Sequence, residues 1–117
     1  PEDLALYCDR QLMSQVLINL LTNSMYALED RQGARIEVIC SENDSRIKIE
    51  VQDNGKGINQ ENRKKIFIPF FSTRDTGSGI GLSFSKFVIL QHGGRVKFES
   101  EIDKGTVFTI DLPHQKK

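Results

Sequence analysis

The sequence feature that most constrains the fold is the stretch Asp-Asn-Gly-Lys-Gly at residues 53–57. It follows an alternating run, residues 47–51, in which every second side chain is Ile or Val, and this pattern predicts a strand with one face in the core. Glycines at alternate positions allow positive φ and let a ligand approach the backbone closely. A tight turn is the simplest interpretation. The carboxylate of Asp53 could also accept hydrogen bonds from a ligand amine.

A long helix is predicted at residues 10–29, with Asp9 as its N-cap. One face of this helix is apolar and predicts packing against a core. On a different face, Asn19, Asn23 and Tyr26 recur at helical spacing. Asparagine is a mediocre helix former, because its amide competes for backbone hydrogen bonds. The two amides therefore indicate either solvent-exposed positions or the polar wall of a binding site.

A second glycine cluster, Gly-Ser-Gly-Ile-Gly at residues 77–81, leads directly into a helix predicted at 80–91. It has neither the lysine of a phosphate-binding P-loop nor the spacing of the dinucleotide fingerprint. Unpaired amides at a helix N-terminus nevertheless form an anion site, for which phosphate is the natural ligand. The residues before it, 72–79, are small and polar and predict a flexible loop. The apolar stretch at 67–71 either anchors that loop or makes an ordinary core contact.

The order of the remaining patterns predicts the fold class. Alternating or short apolar runs predict five strands, at residues 4–8, 35–41, 46–53, 95–100 and 105–112, with a polar loop at 42–45. A short helix at 60–66, capped by Asn59, is also predicted. The helix at 80–91 offers Leu82, Phe87, Val88 and Leu90 for packing. We therefore expect an α+β fold, a two-layer α/β sandwich whose mixed, mainly antiparallel sheet of about five strands is covered on one face by three helices.

Composition narrows the class of protein. At 117 residues the chain predicts one domain, residues 1–117. Its 16 basic and 16 acidic residues balance, which argues against binding to nucleic acid or to an anionic membrane. The two cysteines lack metal-ligand spacing, and there is no apolar membrane span or signal peptide, so we expect a cytoplasmic location. The first residue is Pro1 rather than Met, which predicts a segment of a longer protein.

Five motifs in one order resemble the ATP-binding catalytic domain of sensor histidine kinases, in the superfamily shared with type II topoisomerase, chaperone and mismatch-repair ATPases. They are the N box at 19–24, the first glycine box at 53–57, the F box at 67–73, the second glycine box at 77–82 and the closing strand motif at 105–108. The resemblance covers nearly the whole chain. The Pro-Phe-Phe-Ser-Thr stretch followed by a short lid is similar to the nitrogen-regulator-type branch.

The resemblance implies ATP and Mg²⁺ as cofactors and assigns roles to individual residues. Asp53 would bind the adenine amino group, with support from Thr106 through water. Asn23 would coordinate Mg²⁺ with Asn19 alongside. The other implied nucleotide contacts are Tyr26, Gly55, Gly57, Ile58, Phe70, Thr73, Gly77, Gly79, Gly81 and Leu82.

The chain departs from the family pattern on the N-box helix. Many relatives carry Ala after the N-box asparagine and Lys three residues beyond it, where this chain has Ser24 and Tyr26. A phosphate-contacting lysine on this helix is therefore missing. Arg74, within the lid at residues 72–78, could supply a cation instead.

The residue type at position 19 bears on the reaction. Hydrolysing relatives place a glutamate there, whereas an amide cannot act as a general base at neutral pH, so transfer of the γ-phosphoryl group to a histidine is favoured. His92 and His114 lack the surroundings of the family's phosphoacceptor helix, which implies an acceptor on a separate domain of the same protein and a response regulator downstream. We expect the isolated domain to be monomeric and the parent kinase dimeric. An ATP-hydrolysing clamp is one alternative. The other is a pseudokinase that binds nucleotide, or nothing, and serves as an interaction module; the ring of Tyr26, which could fill the site, supports it.

Overall fold

A computed structural model describes residues 9–69 and 81–113, which form three helices and four strands. In chain order these are α1 (Arg10–Ala27), β1 (Ile36–Asn43), β2 (Arg46–Asp53), α2 (Gln60–Arg63), α3 (Gly81–Gln91), β3 (Arg95–Glu101) and β4 (Gly105–Pro113).

The four strands form one sheet in the order β1-β2-β4-β3, and every neighbouring pair is antiparallel. Helices α1 and α3 pack against each other and against the sheet, so the predicted two-layer α/β sandwich is confirmed. The described residues contain four strands where about five are predicted, and the strand predicted at 4–8 lies outside them. Within the described ranges, no helix has the length and hydropathy needed to cross a membrane.

The core lies between the two helices and the helix-facing side of the sheet. Alternation along β2 and β4 directs one side of each strand into it, as the sequence pattern predicts. Its buried members are Met13, Val16, Leu20, Ile47, Ile49, Val51, Ile66, Val88, Ile89, Phe108, Ile110 and Leu112.

Helix α1 begins where the sequence predicts and ends two residues earlier. The side chain of Asp9 accepts a hydrogen bond from the backbone nitrogen of Leu12 at 3.0 Å, which confirms it as the N-cap. The helix stops at Ala27 because the chain then turns, with positive φ at Asp30 and at Gly33. A non-glycine residue in the left-handed region cannot continue a right-handed helix.

Helix α3 buries a narrower face than the sequence suggests. Its buried residues are Ser85, Val88 and Ile89, and Leu82 packs at the edge of the core. The prediction that Phe87 and Leu90 pack in the core is wrong, since they are 61% and 54% exposed. The helix contacts α1 and β3, and its buried positions 85, 88 and 89 share one face at helical spacing.

Two further predicted boundaries shift by more than one residue. Strand β1 continues to Asn43, so the loop between β1 and β2 is the pair Asp44 and Ser45 rather than residues 42–45. Asp44 adopts a positive φ of 55°, which makes this short connection possible. Helix α2 ends at Arg63 rather than 66, but its N-cap is confirmed, because Asn59 Oδ1 accepts from the backbone nitrogen of Asn62 at 2.9 Å.

Candidate functional site

The described residues enclose a pocket of about 450 Å³ beside the ends of β2, α1 and α3. This volume is within the range of small-molecule sites. Eight residues that the sequence predicts as nucleotide contacts line it: Asn23, Tyr26, Asp53, Gly57, Ile58, Gly81, Leu82 and Thr106. The predicted site residues Phe70, Thr73, Arg74, Gly77 and Gly79 lie outside the described part of the chain.

Asp53 provides the carboxylate of the pocket. It is the last residue of β2 and is 9% exposed. Its Oδ1 accepts a hydrogen bond from the backbone nitrogen of Gly55 at 2.9 Å. Thr106, also buried, is its register partner on β4. A buried, acceptor-only group of this kind suits a ligand that donates hydrogen bonds, such as an exocyclic amine.

The two glycines of the first box allow close contacts between backbone segments. Gly55 does not line the pocket; it packs on α1, and a Cβ there would lie 2.5 Å from the carbonyl oxygen of Ala27. Gly57 has a φ of 78°, and a Cβ on it would clash with the carbonyl of Glu101. The loop can therefore pass between α1 and the β3–β4 turn only because side chains are missing at both positions.

The two asparagines of α1 differ in their surroundings. Asn23 lines the pocket, and its Nδ2 donates to the carbonyl oxygen of Asn19 at 2.8 Å, which leaves its Oδ1 for the pocket. A neutral amide oxygen is a suitable ligand for Mg²⁺ that keeps its phosphate and water ligands. The side chain of Asn19 is outside the pocket lining and points to α3, where Nδ2 donates to Gly81 O at 3.1 Å.

Helix α3 begins at the pocket. Gly81 and Leu82 both line it, and the first turn of any helix carries backbone N–H groups without intrahelical partners. A Cβ at Gly81 would lie no closer than 3.6 Å to Asn19, an ordinary contact. The pocket therefore has a carboxylate at one side and a helix N-terminus at another, an arrangement that fits an amine and an anion on one ligand.

Tyr26 forms part of the pocket wall. The volume of about 450 Å³ is what remains with its side chain in place, and Ala27 lines the pocket beside it. The ring therefore does not fill the site.

Sequence reasoning missed Ser100 and Arg63, which support the pocket from behind. Ser100 Oγ accepts from the backbone nitrogen of Ile58 at 2.7 Å and lies 2.8 Å from Thr106 Oγ1. Arg63 donates to the carbonyl oxygens of Ser100 and Ile58. One sequence signal could have identified Ser100. It follows Val96 and Phe98 on the same face of β3, where the alternation predicts an apolar side chain rather than a hydroxyl.

The sequence of this chain matches a family model described as "Histidine kinase-, DNA gyrase B-, and HSP90-like ATPase" over residues 8–116. It is 41% identical over 105 residues to the signal transduction histidine-protein kinase AtoS of Escherichia coli, covering 90% of this chain and 17% of AtoS. It is 39% identical over 105 residues to the sensor histidine kinase ZraS of Klebsiella oxytoca, covering 90% of this chain and 22% of ZraS. The chain thus spans about a fifth of the length of these relatives.

Solved structures with the same fold include the nucleotide-free catalytic domain of histidine kinase ThkA. This chain superposes on it with a TM-score of 0.85 at 33% identity, covering 99% of this chain and 76% of that one. The mycobacterial sensor histidine kinase MprB gives a TM-score of 0.82 at 26% identity, covering 96% of this chain and 78% of that one.

Proposed function

Because the chain belongs to the family of histidine kinase-, DNA gyrase B- and HSP90-like ATPases, we propose that it binds ATP with Mg²⁺ and supplies the γ-phosphoryl group to a histidine. The acceptor histidine lies on a separate domain of the same protein, from which a response regulator takes the phosphoryl group. The observation that carries the proposal is the buried carboxylate of Asp53 at one side of a pocket whose other side is the start of α3.

Asp53 recognises the base. The adenine amino group donates to the carboxylate, whose Oδ1 is already held by the Gly55 amide at 2.9 Å. Fixing one oxygen orients the other toward the ligand. A hydrogen bond to a charged acceptor contributes about 1.5–3 kcal/mol.

Asn23 and the start of α3 act on the phosphates. Asn23 Oδ1 would hold Mg²⁺, since the Nδ2 of the same amide is bonded to the helix backbone. When bound, Mg²⁺ offsets negative charge on the phosphate oxygens. The backbone amides at Gly81 and Leu82 add partial positive charge there. In the proposal, this part of the site also contains Phe70, Thr73, Arg74, Gly77 and Gly79.

Two observations favour phosphoryl transfer over hydrolysis: the residue types of helix α1 and the hydrogen bonds of His92. Helix α1 contains no Asp or Glu, so it offers no general base for water. His92 is not the acceptor, because its Nε2 accepts from the backbone nitrogen of Asp9 at 3.0 Å and its Nδ1 lies 2.8 Å from Val88 O. The site then acts mainly by positioning ATP for a histidine brought from elsewhere.

Placement in the cell follows from this role. A kinase domain that uses ATP and a response regulator works in the cytoplasm. The isolated domain is monomeric in our proposal, and the parent kinase is dimeric because the acceptor domain pairs two chains.

The test is calorimetric titration of the domain with ADP and a non-hydrolysable ATP analogue, with Mg²⁺ present and absent. Asp53→Ala should weaken binding by at least about tenfold, from the loss of one charge-assisted hydrogen bond. Asp111→Ala is the matched control. That carboxylate also lies on the sheet, but it pairs with Arg46 at 2.6 Å outside the pocket lining.

Transfer is tested by adding the parent protein's phosphoacceptor segment with labelled ATP. Acid-labile label on its histidine is expected, with negligible release of phosphate by the domain alone. Unchanged affinity of Asp53→Ala would contradict the base site. Steady hydrolysis without the acceptor would favour the clamp, and tight binding without transfer would favour the pseudokinase.

A further inference from the structure

One polar row crosses three strands beside the pocket. Asp53 on β2, Thr106 on β4 and Ser100 on β3 are successive register partners. Asp53 and Thr106 line the pocket, and Ser100 is behind them. Because register partners on one face of a sheet are close neighbours, a change at Ser100 can reach the pocket through Thr106.

Ser100 Oγ has three polar neighbours. The backbone nitrogen of Ile58 donates to it at 2.7 Å, the carbonyl oxygen of Gly105 lies at 3.2 Å, and Thr106 Oγ1 lies at 2.8 Å. A hydroxyl has one proton and two acceptor sites. All three contacts are hydrogen bonds at once only if Ser100 donates to Gly105 and accepts from Ile58 and Thr106.

This direction determines what Thr106 presents to the pocket. The Thr106 proton is donated to Ser100. The Thr106 oxygen can therefore only accept hydrogen bonds from a ligand in the pocket. We propose that Ser100 is a positioning residue that fixes the Thr106 hydroxyl as an acceptor and thereby sets the hydrogen-bond pattern read by the base. This inference rests on the proposed function, because it takes the ligand to be an adenine nucleotide.

Asp53 and Thr106 would then both present only hydrogen-bond acceptors to adenine, and this suits its amino group but not its ring nitrogens. The amino group donates to Asp53, while both ring nitrogens that flank it, N1 and N7, are acceptors. Whichever nitrogen is on the side of Thr106 therefore meets another acceptor. A water molecule that donates to both resolves the mismatch. With Ser100 in place the water always finds an acceptor at Thr106; without Ser100 the threonine proton is free to turn into the pocket against it.

The test measures how Ser100→Ala changes affinity for ADP, 1-deaza-ADP and 7-deaza-ADP by calorimetry. The analogue that binds more weakly to the wild type identifies the nitrogen on the side of Thr106. We expect Ser100→Ala to weaken ADP binding about fivefold, the equivalent of one neutral hydrogen bond. It should change affinity for that analogue by less than twofold.

Two further variants separate this role from support of the loop. In a Thr106→Val background, Ser100→Ala should have no additional effect on ADP binding. Arg63→Gln is the matched control: it removes donors to the carbonyls of Ile58 and Ser100 without touching the hydroxyls, so its effect should be equal for ADP and both analogues. Ser100→Cys, whose sulfur accepts a hydrogen bond from Thr106 more weakly than an oxygen does, gives an intermediate loss and serves if the alanine variant fails to fold.

The outcomes are distinguishable. If the wild type does not bind ADP, the proposed function fails and this inference with it. If the wild type binds but Ser100→Ala and Ser100→Cys match it, the inference alone is wrong. A loss that persists with Thr106→Val, or that is equal for all three ligands, shows that Ser100 acts through the Ile58 loop and also overturns it.

Discussion

The side-chain nitrogen of Asn19 donates to the carbonyl oxygen of Gly81 at 3.1 Å and joins the middle of α1 to the first residue of α3. The same nitrogen lies 3.4 Å from Ser85 Oγ. Asn19, whose side chain is outside the pocket lining, thus holds the helix whose N-terminus borders the pocket.

Asn19→Asp should destabilise the domain by about 1–3 kcal/mol, because a carboxylate oxygen would then face the carbonyl of Gly81 without a donor. The loss should shrink as the pH falls far enough to protonate the new carboxyl, which becomes a donor again. Urea denaturation at several pH values measures both effects. Gln15→Ala is the control: Gln15 contacts the opposite end of the same amide at an exposed site, and a change within about 0.5 kcal/mol is expected. Equal stability of Asn19→Asp and the wild type at neutral pH would contradict the assignment.

Two buried serines give a matched pair. Ser24 is 1% exposed and its Oγ has no hydrogen-bond partner among the described residues, whereas Ser85 is 0% exposed and its Oγ donates to Gly81 O at 2.8 Å. Ser24→Ala should leave stability unchanged or raise it by up to about 1 kcal/mol, and Ser85→Ala should lower it by about 1 kcal/mol. Thermal melting by circular dichroism compares them. Equal losses would show that the Ser24 hydroxyl is bonded after all.

Gly55→Ala should destabilise the domain by about 1–3 kcal/mol, because its Cβ would lie 2.5 Å from the carbonyl oxygen of Ala27, which also accepts from Lys56 at 2.9 Å. Gly81→Ala is the matched control, since a Cβ there meets Asn19 at 3.6 Å and alanine suits a helix start. The midpoint of chemical denaturation is the readout. An unchanged midpoint for Gly55→Ala would refute the close approach.

Asn23→Ala should lower Mg²⁺-dependent ADP affinity on the order of tenfold and leave metal-free binding nearly unchanged. The reason is that Oδ1 is the one atom of this side chain that can ligate a cation, and the hydrogen bond from Nδ2 to Asn19 O holds the amide in place. Titration with Mg²⁺ or with a chelator separates the two affinities. Thr22→Ala, the preceding position and not part of the pocket lining, is the control. Equal losses with and without Mg²⁺ would assign Asn23 a structural role.

Features encoded within a few residues could be predicted from the sequence. The helix caps at Asp9 and Asn59 each depend on one side chain and a backbone amide three residues away. The strand that ends at Asp53 is indicated by its alternating apolar residues. Eight of the predicted ligand contacts lie around one pocket because their motifs follow one another in a fixed order along the fold.

Features that depend on contacts between distant segments could not be predicted. Phe87 and Leu90 are as apolar as Val88, and only the position of α1 and β3 decides which of them is buried. Ser100 Oγ accepts from the backbone nitrogen of Ile58, which is 42 positions away and outside any strand, so no local pattern specifies this contact. Residues 70–80, where much of the phosphate site is proposed, lie outside the described part of the chain, and their roles stay predictions.

The hydrogen bond from Asp9 to His92 has a mechanical consequence when it is combined with that from Asn19 to Gly81. The first joins the start of α1 to the end of α3, and the second joins the middle of α1 to the start of α3. Helix α3 therefore runs antiparallel to α1 and is joined to it near both of its own ends, over about 15 Å. A displacement of the backbone at Asp9 bears directly on the C-terminal end of α3, and one at Asn19 bears on its first residue, Gly81. Sliding of α3 along α1 would have to break both hydrogen bonds, whereas the loss of either one alone leaves α3 joined to α1 at its other end.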